Sequence, residues 1–410
     1  MTELNLMLLI VGGVVLLVGL LSGPIKRSLL SAPLVALLVG VLVGPSVLGL
    51  LDPTGWGRQA TVLEQAARLT VAISLMGIAL RLPSGYPLKS WRSLIVMLGP
   101  VMTLMWLASG LLTYFILGLP FWLAMLIGAV LTPTDPVVSS TIVTGKMAEQ
   151  KLPARLRNLL SGESGANDGL AYPFVFLAIL MLERPPTEAL THWLTLTLLW
   201  EVLAAVVLGA ILGYGAGRLL QLAKEREIIE EPSYLAYTIA LSLLVLGAAK
   251  LLGTDGVLAV FAAGIALNMA VDTETETEEE NVQEAVNRFF VLPIFVLLGM
   301  ALPWEQWLEL GWKGLVLVVA ILLFRRLPAV LALSPLLGPS RGRDDALFLG
   351  WFGPIGVAAL FYATLSVREA GTHEAWVVGS LVICASVLVH GVSAAPLTNL
   401  YARRSRETEE

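Results

Sequence analysis

The chain has 410 residues, of which 57% are hydrophobic and 14% charged, with a mean hydropathy of +0.81. Soluble domains carry about 25% charged residues, so the composition excludes a water-soluble globular protein and places the chain in a lipid bilayer. The net charge of −5 points to no particular partner and no nucleic acid is expected; the single Cys384 excludes internal disulfides and cysteine metal clusters, and His192, His373 and His390 are too scattered for a histidine metal site.

At about 20 apolar residues per crossing, thirteen candidate spans follow, near 5–23, 28–51, 68–82, 93–118, 121–144, 158–182, 193–217, 233–251, 255–271, 287–302, 313–334, 346–367 and 374–400. The first lacks a basic leader and a cleavage site, so it reads as a retained span rather than a signal peptide. An odd count puts the termini on opposite sides. With the N-terminus outside and the C-terminus cytoplasmic, eighteen of the 26 Lys and Arg residues fall in cytoplasmic loops and six outside, and Arg325 and Arg326 lie within a span. A bias that stays in phase along the chain is what the positive-inside rule requires of a correct count.

Two spans are broken at mid-depth. The fifth contains Leu131-Thr132-Pro133-Thr134-Asp135-Pro136, where two prolines remove backbone donors and stop an ordinary helix; the twelfth contains Gly350-Trp351-Phe352-Gly353-Pro354-Ile355-Gly356. Unwound backbone at that depth is tolerated only inside protein or along a wet cavity. The two breaks are seven spans apart, an odd shift that inverts topology. The chain therefore reads as a single membrane transporter domain, 1–410, with one six-helix repeat over about 5–182, a linker span over 193–217 and an inverted repeat over 233–400. The acidic stretch 272–280 reads as a solvated cytoplasmic linker, with a cation-attracting or pH-responsive loop as the alternative. The chain ends soon after the last span, so no appended regulatory domain is expected.

The ionisable residues inside spans are Asp135, Glu163, Asp168, Arg325 and Arg326, with Glu201 nearer an end. A charge at the bilayer centre costs about 2.5–3.5 kcal/mol, so such groups point to function. In the sixth span Ser164 and Asp168 share one helical face, and Glu163 and Asn167 the adjoining one. Glu163 is expected to pair with an arginine of span eleven. That leaves Asp168 free to hold either a proton or a small hard cation, with Ser164, Thr134 and Asp135 as further oxygen donors. Asn167 is expected to secure the loose backbone of the broken helix.

Thr134-Asp135-Pro136 and Glu163-Ser164-Gly165-Ala166-Asn167-Asp168 resemble the signature of the cation/proton antiporters of the NhaP and Na⁺/H⁺-exchanger group. The strings 131–137, 163–169, 325–328 and 352–357 are most similar to the fungal plasma-membrane branch and its bacterial relatives. The resemblance implies an all-α integral-membrane fold of thirteen helices, with two inverted six-helix repeats and discontinuous crossing helices 5 and 12. It implies a homodimer in the cell (inner) membrane, working by alternating access as a transporter rather than an enzyme. It implies Asp168 as the transport carboxylate, Ser164, Thr134 and Asp135 lining the ion site, and Glu163 paired with Arg325 rather than Arg326. No cofactor is expected beyond the transported Na⁺ or K⁺ and H⁺. The Asn-Asp pair implies one cation exchanged for one proton, electroneutrally. The family's third-span glutamate is missing from Ser74–Arg81, which leaves Na⁺ against K⁺ open.

Three rival classes fit less of the pattern. Gly162-Glu163-Ser164-Gly165 matches the rhomboid serine-protease string, with His390 as the base, but neither flanking carboxylate serves that chemistry. An aspartyl intramembrane protease needs Gly-x-Gly-Asp, which neither Asp168 nor Asp255 supplies. A passive channel needs no titrating carboxylate beside a broken helix.

Overall fold

The computed structural model describes residues 2–27, 30–53, 59–135, 146–228, 234–271, 289–338 and 342–409, and every regular element among them is helical. The acidic stretch 272–280 and Pro136 lie outside the described residues. In chain order the principal helices are α1 (Thr2–Leu20), α2 (Ala32–Val43), α3 (Gln59–Arg81), α4 (Trp91–Leu117), α5 (Phe121–Val130), α6 (Ala154–Glu183) and α7 (Pro186–Glu225). They continue as α8 (Tyr234–Leu251), α9 (Gly256–Ala270), α10 (Phe289–Met300), α11 (Trp304–Phe324), α12 (Leu327–Leu333), α13 (Arg343–Trp351), α14 (Val357–Ala370) and α15 (His373–Glu409). Among the described residues, eight helical stretches are long and apolar enough to cross a membrane, and four shorter apolar helices accompany them.

Helix ends follow local chemistry. The Ser31 hydroxyl accepts the Leu34 amide to start α2, and Asp255 accepts the Val257 and Leu258 amides to start α9. Helix α7 lies along α9 through Gly209, Gly213 and Gly217, spaced four apart. A Cβ at Gly209 or Gly213 would overlap the carbonyl of Ala259 or Ala263, so only small residues permit this approach.

Two expectations change here. The third helix begins at Gln59 rather than near 68, because its first turns carry Glu64, Gln65 and Arg68, which a hydropathy reading assigns to a loop. Arg68 and Lys313, two of the six basic residues assigned to the outside, therefore lie inside helices. The longer helix brings in a carboxylate, Glu64, upstream of Ser74–Arg81, a stretch that itself holds none. Glu64 is 3% exposed and is held by Arg368 of α14 at 2.8 and 3.1 Å, so it is engaged far from the breaks in sequence rather than free to bind an ion.

Candidate functional site

Helix α5 stops at Val130, and residues 132–135 run on unwound, because Pro133 has no amide to donate. The Thr132 hydroxyl turns back onto Gly128 O at 2.8 Å. Residues 352–356 are likewise unwound between α13 and α14. The two unwound segments meet: the Asp135 amide donates to Pro354 O at 2.7 Å, and Asp135 Oδ2 accepts the Val357 amide at 2.5 Å. Gly356 makes this approach possible, since a Cβ there would overlap the Asp135 carboxylate.

The free helix ends are matched by charge. Asp135 sits at the positive N-terminus of α14. At the negative C-terminal end of α5, Arg325 Nη1 donates to Leu131 O at 2.6 Å, Thr132 O at 3.1 Å and Pro133 O at 3.3 Å. Its Nη2 donates to Gly353 O across the crossing. One acid and one arginine thus satisfy backbone groups at the two unwound helix ends.

Arg325 therefore does not pair with Glu163, contrary to the expectation above; Arg326 does. Arg326 Nη1 and Nη2 reach Glu163 Oε1 and Oε2 at 2.7 and 2.9 Å, and both side chains are buried. The chain bends at Arg325–Arg326, between α11 and α12, so the two neighbours point to different partners. Adjacent residues of one type carry no sequence signal for that choice.

Helix α6 presents its polar residues to this crossing. Asn167 Nδ2 donates to Thr134 Oγ1 at 2.7 Å and to Glu163 Oε1 at 2.8 Å, and its Oδ1 accepts the Thr134 amide at 3.1 Å. It thereby ties the unwound segment to the ion pair. Ser164 Oγ lies 3.1 Å from Thr134 Oγ1. Asp168 is 2% exposed, and its Oδ1 is buried with no hydrogen-bond partner among the described residues. The backbone carbonyl of Asp168 accepts the Tyr362 hydroxyl at 2.6 Å. The structure thus gathers Thr134, Asp135, Glu163, Ser164, Asn167, Arg325 and Arg326 in one hydrogen-bonded crossing, with Asp168 one turn beyond Ser164 on α6. Sequence reasoning missed Tyr362, which sits in an apolar run with no polar periodicity to mark it.

The donor set is all oxygen: the Asp168 carboxylate and the Ser164 and Thr134 hydroxyls. Such a set suits a hard alkali cation, and one uncompensated carboxylate suits a single positive charge. No group of three or more His, Cys, Asp or Glu side chains gathers among the described residues. The serine-protease arrangement is not formed. His390 Nδ1 faces Ser386 at 3.0 Å and Nε2 faces Trp351 O at 3.1 Å, while Ser164 faces Thr134.

A helical membrane bundle in which two interrupted helices cross beside a buried carboxylate has the discontinuous-helix architecture found among secondary transporters. The family model "Sodium/hydrogen exchanger, transmembrane" matches residues 12–400, and the chain belongs to that family. It is 34% identical over 393 residues to a "Na(+)/H(+) antiporter 2" of Zygosaccharomyces rouxii, covering 88% of this chain and 48% of that protein. A "Na(+)/H(+) antiporter" of Schizosaccharomyces pombe is 32% identical over 418 residues, with 95% and 89% covered. A "K(+)/H(+) antiporter NhaP2" of Shewanella oneidensis is 24% identical over 294 residues, with 71% and 50% covered. The chain spans about half the length of several of the curated relatives it matches. Among solved structures, the sodium proton antiporter MjNhaP1 from Methanocaldococcus jannaschii shares the fold, with a TM-score of 0.67 at 18% identity over 98% of this chain and 97% of that one.

Proposed function

We propose that the chain exchanges a monovalent cation, Na⁺ first among them, for H⁺ across the cell (inner) membrane by alternating access. The observation that carries this reading is the unpartnered, buried Asp168 oxygen beside a crossing whose other charges are already matched. Asp135 and Arg325 hold opposite helix ends, and Glu163 and Arg326 hold each other. Asp168 is then left with one uncompensated charge, which one proton or one cation neutralises. Occupancy by one or the other, never both, gives 1:1 exchange that moves no net charge. Ser164 and Thr134 oxygens take the place of part of the cation's hydration shell. Asp135 serves first as the cap of α14 and only then as a wall of the site.

The reading includes thirteen crossings in two inverted six-helix repeats, about 5–182 and 233–400, with 193–217 between them. It includes an outside N-terminus, a cytoplasmic C-terminus and a homodimer. The relatives' names support Na⁺ over K⁺, and a K⁺/H⁺ antiporter of the same fold is the second reading, since Glu64 is bound by Arg368 and adds no ligand. The test is dissipation of an imposed pH gradient in proteoliposomes on adding Na⁺, Li⁺, K⁺ or Rb⁺ in turn. Asp168→Asn is expected to abolish the response while the protein still inserts, and full exchange by that variant would refute the assignment. In the wild type, lowering the pH is expected to raise the KM for the cation without lowering the maximal rate. A rate that follows an imposed membrane potential would reject electroneutrality.

A further inference from the structure

Buried polar material does not stop at Asp168. Tyr362, which donates to the Asp168 carbonyl, stands within electrostatic reach of Tyr172 and Asp255. Beyond it lies a second set of oxygens carried by α6, α7 and α9. Helix α7 is wound as a π-helix from Trp193 to Ala204, a rare form that is frequent at functional sites. Within this stretch the carbonyl of Glu201 accepts the Asp255 amide at 2.8 Å, which holds the backbones of these two acidic residues together.

Asp255 is 3% exposed. Its Oδ1 caps α9, and its Oδ2 is buried with no hydrogen-bond partner among the described residues. Glu201 Oε2 and Thr197 Oγ1 are buried and unpartnered in the same way, and Thr197 is fully buried. The Thr197 and Tyr172 hydroxyls neighbour the Glu201 carboxylate, with Thr197 Oγ1 outside hydrogen-bonding geometry. The cationic groups within reach are the exposed Lys250 and the half-buried His192. Buried polar atoms nearly always find a partner, so three orphaned oxygens on two packed helices call for a ligand. An oxygen-only set with two carboxylates, partly offset by Lys250, selects a hard cation of low charge.

We propose that Thr197, Glu201 and Asp255 form a second alkali-cation site, a staging position on the side of Asp168 reached from the loop at Lys250–Asp255, with Tyr172 and Tyr362 between the two. The inference rests on the antiport reading and extends it: a cation shedding its water meets these oxygens before the carboxylate that it shares with the proton.

The test uses the purified full chain, with equilibrium binding of ²²Na⁺ in detergent and exchange in oriented vesicles. Asp168→Asn, which stops exchange, is expected to retain saturable ²²Na⁺ binding, and Glu201→Gln added to it is expected to remove that binding. In an otherwise wild-type chain, Glu201→Gln and Asp255→Asn are each expected to raise the KM about tenfold for cation presented on the Lys250 side and to leave it unchanged on the other. Asn preserves the cap of α9; should Asp255→Asn fail to insert, Glu201→Gln decides alone, because its side chain caps no helix. Loss of all binding in Asp168→Asn, or KM values within twofold on both sides in Glu201→Gln, would overturn the site. A wild-type chain that binds ²²Na⁺ but exchanges nothing refutes the antiport reading instead, and leaves the binding comparison to decide this one.

Discussion

Replacing Glu163 by Gln keeps its volume and one acceptor but removes the charge that faces Arg326. Glu163 and Arg326 are 1% and 2% exposed, and they are joined by two hydrogen bonds of 2.7 and 2.9 Å. After the change Arg326 keeps its bond from Nε to Leu349 O at 2.9 Å and a 3.9 Å contact with Met105 sulfur, neither of which carries charge. The bond from Asn167 survives, because the Gln carbonyl accepts it. Stranding one member of a buried pair costs about 3–5 kcal/mol, much more than the pair itself is worth against an apolar replacement. The shift in melting temperature per kcal/mol shrinks as chains lengthen, so a drop on the order of 5 °C is expected here. Restoring electroneutrality with Glu163→Gln and Arg326→Met together should recover most of the loss, since a neutral buried pair strands no charge. The assay is the fraction of detergent-solubilised protein that stays monodisperse after heating, set beside the KM for Na⁺ in vesicles. A Glu163→Gln protein with wild-type thermal stability and a large change in KM would make Glu163 an ion ligand and refute the assignment.

Arg325→Met leaves the carbonyls of Leu131, Thr132, Pro133 and Gly353 without their donor, at about 1–3 kcal/mol for each buried group left unsatisfied. The yield of inserted, monodisperse protein should collapse, and normal yield with normal exchange would disprove the capping role. Gly356→Ala places a methyl against the Asp135 carboxylate and forces it off the Val357 amide. Vesicle exchange should fall at least about tenfold, the effect of 1.4 kcal/mol, while insertion is preserved; unchanged rates would mean that the crossing tolerates a wider separation.

What was legible in the chain beforehand was whatever depends on near neighbours. Hydropathy is a property of short windows, so α4, α8 and α9 begin and end within about two residues of their expected limits. A proline's missing amide is local too, and both breaks fall where Pro133 and Pro354 stand. Helical spacing alone set Glu163 with Asn167 and Ser164 with Asp168. The start of α3 was hidden because Glu64 looks like a loop residue until its partner, Arg368, is known.

Membrane class, broken helices, polar face and family resemblance were therefore present in the sequence itself, since solvation and backbone donor count are decided residue by residue. Which arginine takes Glu163, why Asp135 is a cap, and that Glu64 is neutralised by Arg368, 304 residues away, were decided only by the tertiary structure. A buried charge is stable only beside its opposite, and which opposite is nearest is settled by packing between helices rather than by order along the chain.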